Sequence, residues 1–232
     1  STVTVEVGTS VRPGTYTLTL KAASDSIQRT ATLTLTVSQV TTFIVNTTDD
    51  TIDVSPGDGI CADANGKCSL RAAIMEANAL KTPAVIIIPA GTYKLTRTDS
   101  VDEQGGDLDI QSNVTLKGAG AGQTVLDGNA ADRVLQIYRG ATVRVEGVTI
   151  QNGEADNGGG IYNEGTLTLT NSTVSGNRVT GGGGGILNDG TLTLTNSTVS
   201  GNTAEEGGGI YNVDTANLSF STITNNQATR EG

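Results

Sequence analysis

The chain has 232 residues, of which 31 are glycine and none is tryptophan or histidine, and a formal net charge of −10. That acidic balance argues against a nucleic-acid partner, whose phosphates need a basic surface. No apolar run is long enough to span a bilayer as a helix, and histidine-dependent metal sites or acid–base chemistry have no residue to use.

In chain order, Thr2–Val7, Thr15–Lys21 and Arg29–Val37 alternate apolar and polar residues as strands do, with turns at Arg12-Pro13-Gly14 and Ala23-Ser24-Asp25-Ser26. Three strands leave an apolar face uncovered and edges unpaired, so further strands must come from upstream or from a neighbouring molecule by strand addition. Gly14-Thr15-Tyr16-Thr17-Leu18 resembles a motif in the closing strands of bacterial immunoglobulin-like domains. A complete sandwich of that kind needs about seven strands and ~100 residues. Residues 1–40 are therefore expected to be part of a β-sandwich.

Residues 41–83 read as a cap. Asp49, Asp50, Asp53 and Asp58 lie in one short loop with Gly57 and Gly59, a density of hard oxygen ligands that suits calcium. Their spacing does not fit the EF-hand pattern, and a solvated acidic loop is the plainer reading. Cys61 and Cys68, the only cysteines, close a small loop. They read as a disulfide made in an oxidising, extracytoplasmic compartment, with two free thiols as the alternative. Ser69 is an N-cap for a helix over about Leu70–Leu80, with Leu70, Ile74, Ala77 and Leu80 on its apolar face and Pro83 just past its end. Its expected role is to cover the open N-terminal end of a stack of repeats.

From Ala84 to Gly232 the chain repeats itself. Gly158-Gly159-Gly160-Ile161-Tyr162-Asn163, followed by Thr166–Asn177, recurs from Gly183 to Asn202 and more weakly from Gly207 to Asn226. Gly160, Gly185 and Gly209 are 25 and 24 residues apart. Strand-like alternation inside a fixed period predicts a solenoid of short strands, one coil per unit. The fold class is thus all-β: a right-handed parallel β-helix of roughly five to six coils with one short capping helix. Aligned units predict interior ladders. One is Ile137, Ile161, Ile186 and Ile210; a second is Val143, Leu167, Leu192 and Ala216; a third is Val145, Leu169, Leu194 and Leu218; a fourth is Ile150, Val174, Val199 and Ile223. Val114–Leu116 and Ala84–Ile88 read as strands of earlier, less regular coils. Asn163, Asn188 and Asn212 occupy equivalent positions and predict an asparagine ladder, with Arg139 ending it.

Several motifs together resemble one family. Phe43-Ile44-Val45-Asn46-Thr47, Gly57-Asp58-Gly59-Ile60-Cys61 and Cys68-Ser69-Leu70-Arg71-Ala72-Ala73-Ile74 are similar to the CSLREA domain, with Ala72 where the family motif has Glu. Ile88–Tyr93, Gly106–Ile110 and the Gly-Gly-Gly-Ile-Tyr-Asn coils continue the likeness to the end of the chain. The resemblance implies a secreted or surface-attached bacterial protein with a right-handed β-helix. The coils also resemble, more loosely, the repeats of polymorphic outer-membrane adhesins.

For function the sequence offers two classes. Asp107 and Asp109, two apart, would face one side of a strand, and Asp127, Asp132 and Glu146 lie near Arg133, Arg139 and Arg144. Paired carboxylates are what a polysaccharide lyase or hydrolase would use, although turns and surface ion pairs use the same residues. The threonine rows at 166, 168, 170 and 191, 193, 195 resemble ice-binding arrays only two coils deep. The last residues stop where another Gly-Gly-Gly would begin, so the expectation is a longer parent chain or a head-to-tail neighbour. The leading reading is a non-enzymatic, secreted or cell-surface structural protein, a filament subunit or adhesin stalk without a transmembrane segment. A polysaccharide-binding or -cleaving β-helix is the second, and no cofactor beyond calcium is called for.

Overall fold

The computed structural model describes residues 11–12, 14–24, 27–37, 40–98 and 104–230. The chain divides into two compact units, Ser1–Val40 and Thr41–Gly232. In the first, Gly14–Ser24 and Ile27–Val37 pair antiparallel, with Gly14 opposite Val37 and Ser24 opposite Ile27. These strands join no other sheet among the described residues. Among the described residues these two strands form a hairpin, and the expected strand Thr2–Val7 lies outside the described residues.

The second unit is a parallel β-helix with four walls. The first wall has seven strands, from Thr41–Ile44 and Ala84–Ile88 through Val114–Gly118, Thr142–Glu146, Thr166–Thr170 and Thr191–Thr195 to Thr215–Ser219. The second runs through six strands, from Gly91–Lys94 to Thr222–Thr224. The third has five, Leu108–Ile110, Leu135–Ile137, Ile161–Asn163, Ile186–Asn188 and Ile210–Asn212, so about five turns are complete. The fourth is a line of two-residue strands, Glu154–Ala155, Arg178–Val179, Thr203–Ala204 and Gln227–Ala228.

The alternation read from sequence sets which side chains enter the core. Leu167 and Leu169 are fully buried, and Thr166, Thr168 and Thr170 beside them face outward. Three of the four expected ladders run in the expected register: Val143–Leu167–Leu192–Ala216, Val145–Leu169–Leu194–Leu218 and Ile150–Val174–Val199–Ile223. The fourth needs a correction at one member. Leu135, not Ile137, lies beside Ile161, and Ile137 lies beside Asn163. A slip of two residues keeps every side chain on its face, so alternation alone cannot detect it. It follows that Ile137, and not Arg139, stands next to the asparagine ladder.

Stacked coils bring backbones close together. A Cβ on Gly160 would lie 2.5 Å from the carbonyl oxygen of Gly185, and one on Gly185 would lie 2.5 Å from that of Gly209. The Gly-Gly-Gly segments therefore let one coil rest directly on the next.

The helix Leu70–Leu80 covers one end of this stack, packed on Ala84–Ile88 and Leu108–Ile110. The Ser69 hydroxyl accepts from the Ala72 amide at 3.0 Å and donates to the Thr51 carbonyl at 2.6 Å. Lys81 ends the helix in the left-handed region, its amide donating to the Ala77 carbonyl.

Candidate functional site

Three places could carry function: the capped end, the outer face of the third wall, and the opposite end of the stack.

At the capped end the helix buries more than its apolar face, because Arg71, Glu76 and Asn78 are also buried. The Arg71 guanidinium bonds Asp50 through Nε at 2.6 Å and donates to the carbonyls of Gly106 at 2.7 Å and Asp107 at 2.9 Å. Glu76 accepts from the amides of Gly57 and Gly59. Asn78 donates to the Asp109 carbonyl and accepts from the Gln111 amide. These residues lock the cap onto the coil below, and a helical-wheel reading assigns them to solvent. Cys61 and Cys68 are joined by a disulfide in the same loop.

The four loop aspartates do not converge. Asp50 is held by Arg71 and by the amides of Thr96 and Arg97. Asp53 accepts from the amides of Ser55 and Ala62, Asp58 from that of Ile60, and Asp49 from the Thr47 hydroxyl. Asp49, Asp53 and Asp58 each brace a local turn, whereas Asp50 ties the loop to the helix and to the segment at Thr96 and Arg97. Among the described residues no three acidic or sulfur side chains gather where they could hold a metal ion.

On the third wall the outward positions line up as Asp109, Gln136, Tyr162, Leu187 and Tyr211. Asp107 and Asp109 come together here as their spacing implied, and Arg133 joins them. Its Nη1 lies 3.0 Å from Asp107 Oδ2 and also donates to Gln136, and its guanidinium sits 5.2 Å from the Tyr162 ring centroid. Burial, then the neighbouring Asp107 charge, pushes the Asp109 carboxyl up to about 7, against the opposing pull of the Tyr138 hydroxyl and Arg133. Burial also raises Asp107, although Arg133 opposes it. Tyr138 is pushed up to about 12 by burial and then by Asp109. Of the other residues named from sequence, Asp132 lies near enough for its charge to raise Asp107, whereas Asp127 accepts from Gln151 and Asn152, and Arg139 pairs with Asp189 across exposed surface.

The asparagines are core elements. Asn163 Nδ2 donates to Asn188 Oδ1 at 2.6 Å, and Asn188 Nδ2 to Asn212 Oδ1 at 2.7 Å. A second ladder, Asn177–Asn202–Asn226, runs parallel to it with steps of 2.9 Å. Its signal was present in the repeat, as the asparagine recurring at 177, 202 and 226 at the coil spacing.

In the last described coil the ladder residues are partly exposed. Leu192, Leu194 and Val199 are fully buried, but their ladder neighbours Leu218 and Ile223 are 48% and 43% exposed. The strands Thr215–Ser219 and Thr222–Thr224 are the outer members of their walls.

Residues 196–213 match the Chlamydia polymorphic membrane protein repeat. That segment runs from the end of one first-wall strand into the next third-wall strand, so the match falls on the coil unit itself. No curated protein and no solved structure matches the chain. The repeat belongs to a family of bacterial surface proteins, and with the parallel β-helix it points to a surface or outer-membrane-associated β-helix protein. Among the described residues no helix is long and apolar enough to cross a membrane.

Proposed function

We propose that the chain is a non-enzymatic structural element of a bacterial surface, a β-helical stalk or filament subunit that extends by joining further strands to its last coil. The observation that carries this reading is the solenoid itself, a stack of parallel coils held by buried aliphatic and asparagine ladders, with the surface-protein repeat falling on one coil unit. Such a stack grows by adding like coils. The strands Thr215–Ser219 and Thr222–Thr224, which carry Leu218 and Ile223, are where a further coil or a neighbouring molecule would pair, and apolar ladder positions gain about 1.5–3 kcal/mol each when covered. The hairpin Gly14–Val37, which joins no other sheet among the described residues, is a partner of suitable chemistry, because a two-stranded sheet gains stability from added strands. Joining the hairpin of one molecule to the last coil of the next is a heterologous contact, which propagates as a filament.

Sedimentation velocity with electron microscopy of the purified chain tests it. Concentration-dependent end-to-end particles are expected, and Ile223→Asp should abolish them without unfolding the β-helix. A chain that stays monomeric at every accessible concentration overturns the head-to-tail joining.

A further inference from the structure

Beside the third wall a polar groove runs along the helix axis, past the short strands of the fourth wall. Its first section, about 500 Å³, is lined by Arg133, Glu154, Asp156 and Arg178. The next, about 450 Å³, shares Arg178 and Thr180 with the first and continues to Glu205 and Arg230. A third, about 260 Å³, shares Glu205 and Arg230 and ends against Tyr211. The three are therefore continuous. With strands roughly 4.8 Å apart, the four strands of the fourth wall give the groove a length on the order of 14 Å.

Its cations differ in their partners. Arg133 is engaged by Asp107 and Gln136, and Arg230 by Glu205 and Glu206. Arg178 lines both of the first two sections, is exposed, and its guanidinium makes no hydrogen bond or ion pair with any described residue. Five donors in a planar fork thus stand unused at the centre of the groove.

We propose that this groove binds a neutral polysaccharide chain lying along the helix axis, with Arg178 as the central contact. Four features select that ligand. The lining alternates guanidinium and carboxylate groups, and sugar hydroxyls can donate to one and accept from the other. Carboxylates outnumber arginines along it and the whole chain carries a net charge of −10, so a polyanion is repelled. In its first two sections the apolar part of the lining is only small side chains such as Ala155 and Val179, which offer a peptide no pocket for an anchoring residue. The fourth-wall strands are two residues long, too short for strand addition by a peptide. A linear glycan also suits the repeat, because one pyranose unit is about as long as the rise of one coil, and Tyr211 gives a ring on which a terminal sugar can stack.

The site lies on the flank of the helix and its central contact, Arg178, is two coils before the last described one, so it stands or falls apart from the assembly proposed above. Isothermal titration calorimetry of the full chain with cello-, manno- and chito-oligosaccharides, and with an oligogalacturonate, tests it. At least one neutral oligomer should bind, with an affinity that added salt leaves unchanged. Arg178→Ala should weaken it about tenfold or more, in the range of a lost charged hydrogen bond. Arg144→Ala, exposed on the first wall, should leave it unchanged. Failure of every neutral oligomer to bind, salt-sensitive binding of the oligogalacturonate alone, or full affinity in Arg178→Ala would each overturn the proposal. Because Arg178 is exposed and its side chain makes no hydrogen bond or ion pair with any described residue, its removal should leave the fold intact, and Thr180→Arg, which fills the same groove from an exposed position, should also block binding.

Discussion

Arg71 and Asp50 form an ion pair of 2.6 Å in which the two side chains are only 1% and 3% exposed. The pair joins the capping helix to the loop before it, and the same guanidinium holds three successive carbonyls, those of Gly105, Gly106 and Asp107. Removing one partner leaves a buried charge uncompensated, which costs about 3–5 kcal/mol. Arg71→Met and Asp50→Asn should each lower stability by that order in urea titrations. Asp58→Asn, on an exposed turn, should change it by less than about 1 kcal/mol. The double variant should cost clearly less than the sum of the two, because the second change removes a charge already left unpaired. Additive losses would mean that the pair itself contributes little.

The asparagine ladder gives a second expectation. Asn188 is fully buried, and its amide group donates to Asn212 Oδ1 and to the carbonyls of Gly190 and Thr215 while its oxygen accepts from Asn163. Asn188→Ala strands these partners away from water, at about 1–3 kcal/mol for each unsatisfied group. A loss of roughly 3 kcal/mol is expected, because bonds to the neighbouring coils can partly rearrange. Asn188→Asp should cost more at neutral pH, since a buried anion would face the Asn212 oxygen. Thr193→Ala, outward on the first wall, should stay within about 0.5 kcal/mol. Equal effects at positions 188 and 193 would remove the ladder as a source of stability.

Much of this architecture was legible because the sequence repeats. A fixed period turns one strand pattern into several aligned copies, so the ladders through Leu167, Leu169 and Val174 could be read from residues alone. The helix was legible from Ser69 and the recurrence of Leu70, Ile74 and Ala77 at three- and four-residue steps. Where the repeat degrades, reading failed: the coil before Ile161 has no Gly-Gly-Gly marker, so Leu135 and Ile137 could not be told apart. The capped end was hidden for another reason. Arg71, Glu76 and Asn78 find their partners 17 to 36 residues away, and polar residues on a helix look solvent-facing until the fold supplies those partners. The third-wall cluster was half visible, with Asp107 and Asp109 named from their spacing and Arg133 and Tyr138 brought to them only by coil stacking.

Two glycines separate close packing from backbone conformation. A Cβ on Gly153 would overlap the carbonyl oxygen of Gly159, whereas one on Gly201 meets nothing within 4 Å and only its φ of +65° disfavours a side chain. Gly201→Ala should therefore cost about 1–2 kcal/mol, the strain of a left-handed residue. Gly153→Ala must displace backbone between adjacent turns and should cost more, with faster amide exchange in the coils on either side. A smaller loss at 153 than at 201 would show that the coils can separate easily.

The last expectation concerns pH. In the folded chain burial and the charge of Asp107 raise the Asp109 carboxyl to about 7, from 3.8 where it is free of both. The folded state therefore holds this proton over a range in which the unfolded chain has released it. Its contribution to stability is complete below pH ~4 and is lost as the pH rises towards ~7, beyond which no more is lost. A tenfold difference in proton affinity corresponds to about 1.4 kcal/mol, so after allowing for water near the site the swing is on the order of 1–3 kcal/mol. Asp109→Asn has no proton to lose and can still accept from Tyr138. It should raise stability at pH 8 by that amount, leave it nearly unchanged at pH 4, and flatten the profile between. Denaturant titrations across this range measure it directly, and a parallel slope in Asp109→Asn would assign the pH dependence to other carboxylates.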